Sequence, residues 1–283
     1  MMHFCTLFDR NFLARGLALE RSLSMQGVPF RLWVLCLDDE TKAMLDRIAL
    51  ESVTSITLQE VESRFPLLVE AKETRSIYEY CGTLKAHVIR YVLETNQDVD
   101  ILSHLDADLY FFGDPKVIES QLGEASVLLT PHNFPEGKTQ PQKHGTYNAG
   151  FITFRNDEKG RAALSWWTDR VIEWCSDHVK EGKFLDQGYL NQMAEIFNDV
   201  SIASDKGLNL APWNVEQYQI GKVSDWVMVE RDPLIFYHFH SCRPLTSWLW
   251  DGGIAPYRFA PDSALKRLVY APYIRQLCDV SAW

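Results

Sequence analysis

The sequence lacks the features that identify several large classes of protein. Its six cysteines form no C-x-x-C pair, which removes the usual spacing of a structural zinc site or a redox motif. We interpret them as reduced residues of a cytosolic protein. No apolar run approaches the ~20 residues that span a bilayer, and the first residues carry no basic segment typical of a signal peptide. We therefore expect a soluble, cytoplasmic protein, with a peripheral membrane contact left open.

Glycine-rich nucleotide-binding motifs are also missing. There is no G-x-G-x-x-G, so a dinucleotide cofactor is not expected. Gly137-Lys138-Thr139 is similar to the end of a phosphate-binding P-loop, but the first glycine of that motif would stand at His132. The formal net charge of −10 repels phosphate backbones at long range. This charge argues against nucleic acid as the main partner, while one small anionic ligand held locally remains compatible with it.

What the chain does have is the composition of a globular protein, with 46% hydrophobic and 23% charged residues. Short apolar strands at residues 4–8, 30–37 and 100–105 alternate with helical patterns at 11–26 and 77–94. Such alternation predicts an α/β fold with a mostly parallel sheet flanked by helices.

The second half of the chain is less regular. Strands are predicted at residues 125–129, 147–154 and 233–240, and long helices at 160–180 and 263–277. No repeat, low-complexity tail or linker divides the sequence, so we expect one domain.

Two aspartates follow a predicted strand end. Asp106 and Asp108 come directly after the apolar strand that ends at Leu105, and side chains two apart on an extended segment point to the same side. Two carboxylates that close repel each other unless a cation neutralises them, and hard oxygen ligands select Mg²⁺ or Mn²⁺. The alternative is that both are solvated at a strand end. Ligands of open α/β sheets bind beyond the carboxyl ends of the strands. We therefore expect functional residues directly after Phe8, Leu37, Leu105, Phe154 and Tyr237.

Further short motifs accompany this D-x-D pattern, in order, from about residue 4 to residue 243. They are Thr6-Leu7-Phe8-Asp9 with Phe12, Lys85, Asp106-Ala107-Asp108, Tyr147-Asn148-Ala149-Gly150, Asp186-Gln187, and His238 to Arg243. Together they resemble the GT-A-fold nucleotide-sugar transferases, in particular the group of glycogenin and the bacterial galactosyltransferases. The last segment departs from that group, because Ser241 stands where a glycine is expected and Arg243-Pro244 replaces Lys-Pro.

The resemblance implies a GT-A-type, Rossmann-like single domain over residues 1–283. Its nucleotide-binding half would lie at about 1–125 and an irregular acceptor-side half at about 126–283. It implies a metal-dependent glycosyltransferase that uses Mn²⁺ or Mg²⁺ and takes a sugar from a nucleotide-sugar, with a UDP-sugar favoured. The acceptor would be a glycan or glycolipid-type molecule, such as a cell-surface polysaccharide precursor. The resemblance implies that the anomeric configuration is retained, while the residues themselves leave inversion open.

Two late histidines compete for the role of third metal ligand beside Asp106 and Asp108. The spacing to Ser241 matches the family's H-x-x-G only from His238, so we expect His238 to bind the ion. His240 lies on the same face of the predicted strand and is the alternative. If His238 binds the ion, His240 would contact phosphate or acceptor, or simply pack.

The other site residues take roles that the resemblance implies. For the nucleotide and donor sugar these are Thr6, Leu7, Phe8, Asp9, Phe12, Lys85, Asp106, Ala107, Asp108, Gly150 and Arg243. Lys85 and Arg243 would stabilise charge that develops on the leaving diphosphate, although such residues are often solvated. Asn148, Asp186 and Gln187 are the candidate catalytic residues. Asp186 would bond the sugar hydroxyls or reach the anomeric carbon, or it merely caps a helix.

Trp213 and Asn214 are the candidate acceptor residues, because aromatic faces and amides recognise sugar rings; packing is the alternative. The loop at residues 131–146 is rich in Pro, Gly, Lys and Gln. We predict that it is a mobile lid that orders over the donor and excludes water.

Two other classes of function compete with this interpretation: other D-x-D metal enzymes, namely a nucleotidyltransferase or a phosphatase, and a sugar-binding module without catalysis. A sugar-phosphate nucleotidyltransferase would need a glycine-rich, basic loop after the first strand, and Phe8-Asp9-Arg10-Asn11 is not one. A D-x-D phosphatase would carry the motif at its first strand, followed by Thr or Val, whereas Leu109 follows here. A sugar-binding module without catalysis would leave the paired aspartates unexplained.

Overall fold

The structure is a computed structural model that describes residues 1–137, 145–246 and 248–280. Its strands are, in chain order, β1 (Met2–Phe8), β2 (Phe30–Cys36), β3 (Val53–Thr57), β4 (Ile101–Leu105), β5 (Leu109–Phe111), β6 (Val127–Pro131), β7 (Tyr147–Arg155), β8 (Val200–Ile202), β9 (Ile220–Val223), β10 (Trp226–Val229), β11 (Asp232–Pro233), β12 (Phe236–His238), β13 (Arg243–Pro244) and β14 (Trp250–Asp251). Its α-helices are α1 (Leu13–Ser24), α2 (Asp39–Ile48), α3 (Leu58–Arg64), α4 (Leu67–Thr74), α5 (Ile77–Thr95), α6 (Val117–Leu122), α7 (Glu158–Glu173), α8 (Gly188–Ile196), α9 (Ser263–Leu265) and α10 (Ala271–Val280).

The central sheet has seven strands within the described residues, in the order β3-β2-β1-β4-β7-β6-β8. The first four of these pair in parallel, and so do β6 and β8. β7 runs antiparallel to both of its neighbours, β4 and β6. The expected mostly parallel α/β sheet is therefore confirmed.

The direction of β7 corrects one expectation. Leu105, at the carboxyl end of β4, lies opposite Phe151 near the start of β7. The start of β7, and not its end, therefore reaches the edge at which the parallel strands finish. The prediction of functional residues after Phe154 is wrong for this reason, and Asn148 and Gly150 lie at that edge instead.

Side chains at helix starts explain several element boundaries. Asp38 accepts a backbone N–H of the first turn of α2 and so begins that helix directly after β2. Ser76 and Glu79 form a capping box at the start of α5. Asp157 caps α7, which ends before its predicted limit because Trp174 takes an extended conformation.

Helices cover both faces of the sheet, as expected. Trp167 of α7 and Leu84 of α5 are fully buried in the core on one face. Leu19 of α1 and Leu45 of α2 are buried in the core on the other face. In the described part of the chain no helix combines the length and the apolarity that a membrane crossing needs.

Short elements make up the chain after β8. In the described residues β9, β10 and β11 form a three-stranded sheet, β13 pairs with β14, and β12 pairs with β5. The predicted strand at 233–240 is split accordingly, and the predicted last helix contains a π-helical turn at Lys266–Tyr270. The irregular C-terminal part is confirmed, whereas the division into two functional halves stays a prediction.

Residues 138–144 of the predicted lid lie outside the described residues. The two ends of this loop are paired, because the backbone N–H of His132 donates to the carbonyl of Thr146 at 2.9 Å. The lid function stays a prediction.

Asp157→Ala tests the start of α7. Asp157 Oδ1 accepts the backbone N–H of Gly160 at 2.7 Å, and Oδ2 accepts the hydroxyl of Ser126 at 2.8 Å. Losing such a cap costs roughly 0.5–2 kcal/mol, so the midpoint of urea unfolding should fall. Asp169→Ala, at an exposed position of the same helix, should change the free energy of unfolding by less than ~0.5 kcal/mol. Equal effects of the two substitutions would contradict the role assigned to Asp157.

Candidate active site

The D-x-D segment forms the turn between β4 and β5 at the carboxyl edge of the sheet. The backbone N–H of Asp106 donates to the carbonyl of Gly150 at 2.8 Å, which ties the turn to β7. His238 on β12 lies opposite the first residue of β5. The backbone N–H of Phe239 donates to the carbonyl of Asp108 at 2.9 Å. These pairings bring the late histidines to the two aspartates although they are far apart in the sequence.

The side chains of these segments converge. His238 Nε2 lies 3.1 Å from Asp108 Oδ1 and 3.9 Å from Asp106 Oδ2. One ligand atom from each of Asp108, His238 and His240 lies within 4.8 Å of the other two. His238 is buried, whereas His240 is exposed. The structure thus gathers both aspartates and both candidate histidines.

Lys85 reaches the same point from α5. Its Nζ lies 2.9 Å from Asp106 Oδ1, 3.4 Å from Asp186 Oδ2 and 3.1 Å from the carbonyl oxygen of Ala149. Burial opposes the charge, but the carboxylates of Asp106 and Asp186 hold the pKa of Lys85 above its ordinary value. The ammonium group therefore stays charged between two predicted site residues.

Both aspartates of the D-x-D segment stay ionised. Burial by itself would raise the pKa of Asp106, but Lys85, followed by His104 and His238, lowers it. Burial would also raise the pKa of Asp108, but His238 opposes burial and lowers this pKa. Burial by itself would lower the pKa of His238, but the carboxylate of Asp108 outweighs burial and raises this pKa above its ordinary value of 6.5. A cluster that keeps two carboxylates ionised is suited to a cation.

His104 is a site residue that the sequence analysis did not identify. It is fully buried on β4, with Nε2 at 3.2 Å from Asp106 Oδ1 and Nδ1 at 3.9 Å from Cys5 Sγ. Burial lowers the pKa of His104, so a neutral imidazole orients Asp106. A signal was present, since a histidine interrupts an apolar strand two residues before Asp106, on the same face.

The start of β7 leaves little space beside the cluster. A Cβ at Gly150 would lie 2.4 Å from His238 Cε1, 2.7 Å from Asn148 Oδ1 and 2.9 Å from Asp106 Oδ2. Asn148 Oδ1 accepts the backbone N–H of Gly150 at 3.1 Å, and its Nδ2 lies 3.3 Å from His132 Nε2. Asn148 and Gly150 therefore border the carboxylates directly.

Asp186 precedes α8 and faces Lys85. Leu185 takes a positive φ of 46°, and the carbonyl of Asp186 accepts the indole N–H of Trp167 at 3.0 Å. Gln187, and not Asp186, occupies the N-cap position of α8. The alternative that Asp186 merely caps a helix is therefore wrong. Its Oδ2 is buried and accepts no hydrogen bond from the residues that the structure describes.

Thr6, Leu7 and Phe8 form the end of β1, next to β4. Thr6 is fully buried, and its hydroxyl has no hydrogen-bond partner among the described residues. Leu7 is half-buried. Phe8 packs so closely on α1 that a Cβ at Gly16 would lie 2.3 Å from its ring. Because this ring is in the core, a ligand contact of Phe8 would use its backbone.

Asp9 and Phe12 lie on the turn that follows β1. Asp9 Oδ1 accepts the backbone N–H groups of Asn11 and Phe12 at 3.0 and 3.2 Å, and Oδ2 accepts the Asn11 amide at 2.7 Å. Phe12 is exposed, with the guanidinium carbon of Arg15 at 4.4 Å from its ring centre. The carboxylate is thus committed to the turn, while the ring is exposed apart from its contact with the Arg15 guanidinium.

The predicted acceptor residues are both buried. The ring of Trp213 lies 5.1 Å from the ring of His238 and 5.9 Å from that of His240. Asn214 donates to two carbonyl groups and accepts one backbone N–H within the chain. Trp213 therefore packs against the two histidines, whereas Asn214 holds its own loop to His132. The contact of both residues with an acceptor stays a prediction.

Two further predicted donor residues differ in placement. Ala107, between the aspartates, is buried in the core beneath α1. Arg243 is exposed on the hairpin of β13 and β14, where its Nε lies 3.5 Å from Asp251 Oδ2. Ala107 therefore lies with the carboxylates, whereas Arg243 forms an ion pair with Asp251.

The donor set fits a divalent cation. Ionised carboxylates and imidazole nitrogens are both ligands of divalent first-row metal ions. The ligand atoms of Asp108, His238 and His240 are close enough to share one ion. The glycine at position 150 leaves a cradle beside them that a Cβ would fill.

Comparison with known proteins identifies two relatives that match most of the chain. The uncharacterized protein YfnF of Bacillus subtilis (strain 168) is 33% identical over 248 residues, which cover 85% of this chain and 81% of YfnF. The uncharacterized protein YfnD of the same strain is 32% identical over 278 residues, 97% of this chain and 88% of YfnD. The chain belongs to the family of these two proteins. No protein-family model matches it.

Solved structures show the same fold. The galactosyltransferase LgtC, in complex with donor and acceptor sugar analogs, has a TM-score of 0.59 at 17% identity, over 98% of this chain and 96% of that chain. Mouse xyloside xylosyltransferase 1 has a TM-score of 0.54 at 12% identity, over 85% of this chain and 98% of that chain. The GT-A fold expected from the motifs is confirmed.

Gly150→Ala tests the crowding at the cluster. The added methyl group would overlap His238, Asn148 and Asp106. We expect Mn²⁺ affinity, measured by calorimetry, to fall by about tenfold or more, with roughly 1–3 kcal/mol lost in stability. Gly221→Ala is the matched control, because nothing lies within 4 Å of its added atom. Wild-type Mn²⁺ affinity in a folded Gly150→Ala variant would show that this cradle is not needed.

Proposed function

We propose that this protein is a metal-dependent glycosyltransferase. It would transfer a sugar from a nucleotide-sugar, with a UDP-sugar favoured, to a glycan or glycolipid-type acceptor such as a cell-surface polysaccharide precursor. One observation carries the proposal. At the edge of a GT-A sheet Asp106, Asp108 and His238 form one cluster, and Lys85 joins Asp186 to it. The cytoplasmic location expected from the sequence is part of the proposal.

The structural likenesses support the reaction class. LgtC is a galactosyltransferase whose structure holds donor and acceptor sugar analogs, and the mouse protein is a xylosyltransferase. A shared fold does not by itself establish a function. The residues at the edge of the sheet are therefore the basis of the functional assignment.

Asp106, Asp108 and His238 would hold the ion, Mn²⁺ or Mg²⁺. A divalent cation at this place would stabilise negative charge on the diphosphate that leaves the donor sugar. Thr6 and the exposed ring of Phe12 lie at or next to the same edge, where the base and ribose of a nucleotide would rest. The ring supports stacking on a base.

Lys85 supplies a fixed positive charge to the same region. Its ammonium is charged and largely buried between Asp106 and Asp186, so it needs little rearrangement to face a phosphate oxygen. Fixed charges of this kind stabilise developing charge more than solvated ones do. Arg243 would contribute from the neighbouring hairpin only after leaving Asp251.

Asp186, Gln187 and Asn148 would hold the donor sugar. Asp186 Oδ2 is buried 3.4 Å from the Lys85 ammonium and accepts no hydrogen bond from the described residues, which supports a role as acceptor for a sugar hydroxyl. Retention of the anomeric configuration follows from the resemblance and is part of the proposal. The acceptor would approach beside Trp213 and Asn214.

Metal linkage is tested by thermal shift. UDP or GDP with Mn²⁺ should raise the melting temperature by roughly 5 °C at a hundredfold excess over Kd, because a ligand that binds only the native state stabilises it. Nucleotide with excess chelator should give a clearly smaller shift. The same shift with and without chelator would be incompatible with a metal-dependent donor site.

Asp108→Asn tests the D-x-D assignment, because it removes one negative charge at nearly constant volume. The rate of nucleoside diphosphate release from a panel of UDP- and GDP-sugars should fall by about 100-fold or more, since the metal contribution is worth several kcal/mol. Asp98→Asn, at an exposed position before β4, should retain the wild-type rate. Wild-type turnover by Asp108→Asn would withdraw the assignment.

The released product separates the competing functions. A glycosyltransferase releases nucleoside diphosphate from a nucleotide-sugar. A nucleotidyltransferase instead releases pyrophosphate from a nucleoside triphosphate and a sugar phosphate, and a phosphatase releases inorganic phosphate. A sugar-binding module releases nothing.

A further inference from the structure

We propose that His238 and His240 bind the divalent cation together, so that this metal centre has two imidazole ligands and selects Mn²⁺ or Co²⁺ against Mg²⁺. The inference rests on the proposed function only in assigning a cation to the sheet edge that carries Asp106 and Asp108. Sequence spacing treats the two histidines as alternatives. Their placement makes them neighbours at one point.

The candidate ligand atoms lie close together. One ligand atom from each of Asp108, His238 and His240 lies within 4.8 Å of the other two, and Asp108 Oδ1 is 3.1 Å from His238 Nε2. Two ligands of one Mn²⁺-sized ion, each at about 2.1 Å from it, are separated by roughly 3–4 Å. Small side-chain rotations would close the set around an ion.

The backbone around His240 is held in place on both sides. Before it, the N–H of Phe239 donates to the carbonyl of Asp108 at 2.9 Å. After it, Ser241 takes a positive φ of 61°. A Cβ at Gly253 would lie 2.2 Å from the carbonyl oxygen of His240, so the following loop packs directly on this residue. The turn that carries His240 is therefore tied to the turn that carries Asp108.

The ring of Trp213 packs against both imidazole rings. Its ring meets that of His238 at an interplanar angle of 75° and that of His240 at 65°. The two imidazoles are 6.0 Å apart, centre to centre, and nearly perpendicular at 81°. A buried indole behind both rings limits their rotamers. This arrangement explains a buried tryptophan next to a polar centre without requiring it to stack on a sugar.

Asp106 is the more committed of the two aspartates. Its Oδ1 is 2.9 Å from Lys85 Nζ and 3.2 Å from His104 Nε2, and its Oδ2 lies 3.9 Å from His238 Nε2. One carboxylate oxygen is thus used by the protein itself. Asp106 Oδ2 remains for the ion, beside the carboxylate of Asp108 and the two imidazole nitrogens.

The chemistry of this set determines its preference. Imidazole suits first-row transition metals, whereas Mg²⁺ favours oxygen ligands and gives up water reluctantly. A centre with two imidazoles should therefore bind Co²⁺ and Mn²⁺ more tightly than Mg²⁺. Along the first-row series the affinity should rise from Mn²⁺ to Co²⁺.

The test measures metal binding to the nucleotide-free protein by calorimetry. His240→Ala should weaken Mn²⁺ binding by about tenfold or more, because even the loss of a residue that only bonds to a metal ligand lowers metal affinity about 10–100-fold. The same variant should change Mg²⁺ affinity by less than about twofold. His240→Asp should raise Mg²⁺ affinity relative to Mn²⁺. His178→Ala is the matched control, because His178 is 90% exposed at its side chain and should bind as wild type.

A second readout reports the ligands directly. Pulsed electron paramagnetic resonance of the Mn²⁺-loaded protein should show coupling to imidazole ¹⁴N that weakens in both His238→Ala and His240→Ala. Melting temperatures establish that the variants are folded, and His240→Gln replaces His240→Ala if the latter is not. Unchanged Mn²⁺ affinity with an unchanged ¹⁴N signal in the His240 variants would overturn the proposal. Two bound imidazoles in a protein that processes no nucleotide-sugar would count against the proposed function alone.

Discussion

The contact of Lys85 with the carboxylates of Asp106 and Asp186 is the interaction on which this site depends. It joins helix α5, the turn after β4 and the loop before α8 through one ammonium group that is largely buried. A charge taken out of water is stable only when opposite charges compensate it, and removing one partner of such a pair typically costs about 3–5 kcal/mol. The Lys85 ammonium therefore holds the two carboxylates together before any ligand binds. Stability and chemistry rest on the same residues.

The antiparallel strand β7 provides the second constraint. Because β7 runs against its neighbours, its first residues meet the carboxyl ends of the parallel strands, and the carbonyl of Gly150 accepts the N–H of Asp106. Asn148 and Gly150 thus stand beside the aspartates in a space that a single methyl group would fill. The close backbone approach explains why a glycine stands at this position. It also places the amide of Asn148 beside the carboxylates.

The charge distribution suits a small anionic ligand and disfavours a large one. The chain as a whole carries a formal charge of −10, which repels polyanions at long range. At the cluster the balance is local: Lys85 and a histidine of raised pKa face ionised aspartates. A divalent cation would turn this nearly balanced group into an anion-binding one. The irregular C-terminal elements would then decide how many nitrogen ligands such a cation meets, since they carry His238, His240 and the buried Trp213.

The sequence by itself determined the parallel α/β core, the turn with Asp106 and Asp108, and the candidate histidines, because strand alternation, helix caps and a D-x-D pattern depend on near neighbours. The resemblance added Lys85 and Asp186 without placing them against each other. Only the tertiary structure decided the direction of β7, the burial of Trp213 and the contact of His104 with Asp106. Each of these depends on contacts between segments far apart in the chain, which no local periodicity records. The same reason leaves the choice between His238 and His240 open in the sequence, whereas the fold brings both of them to Asp108.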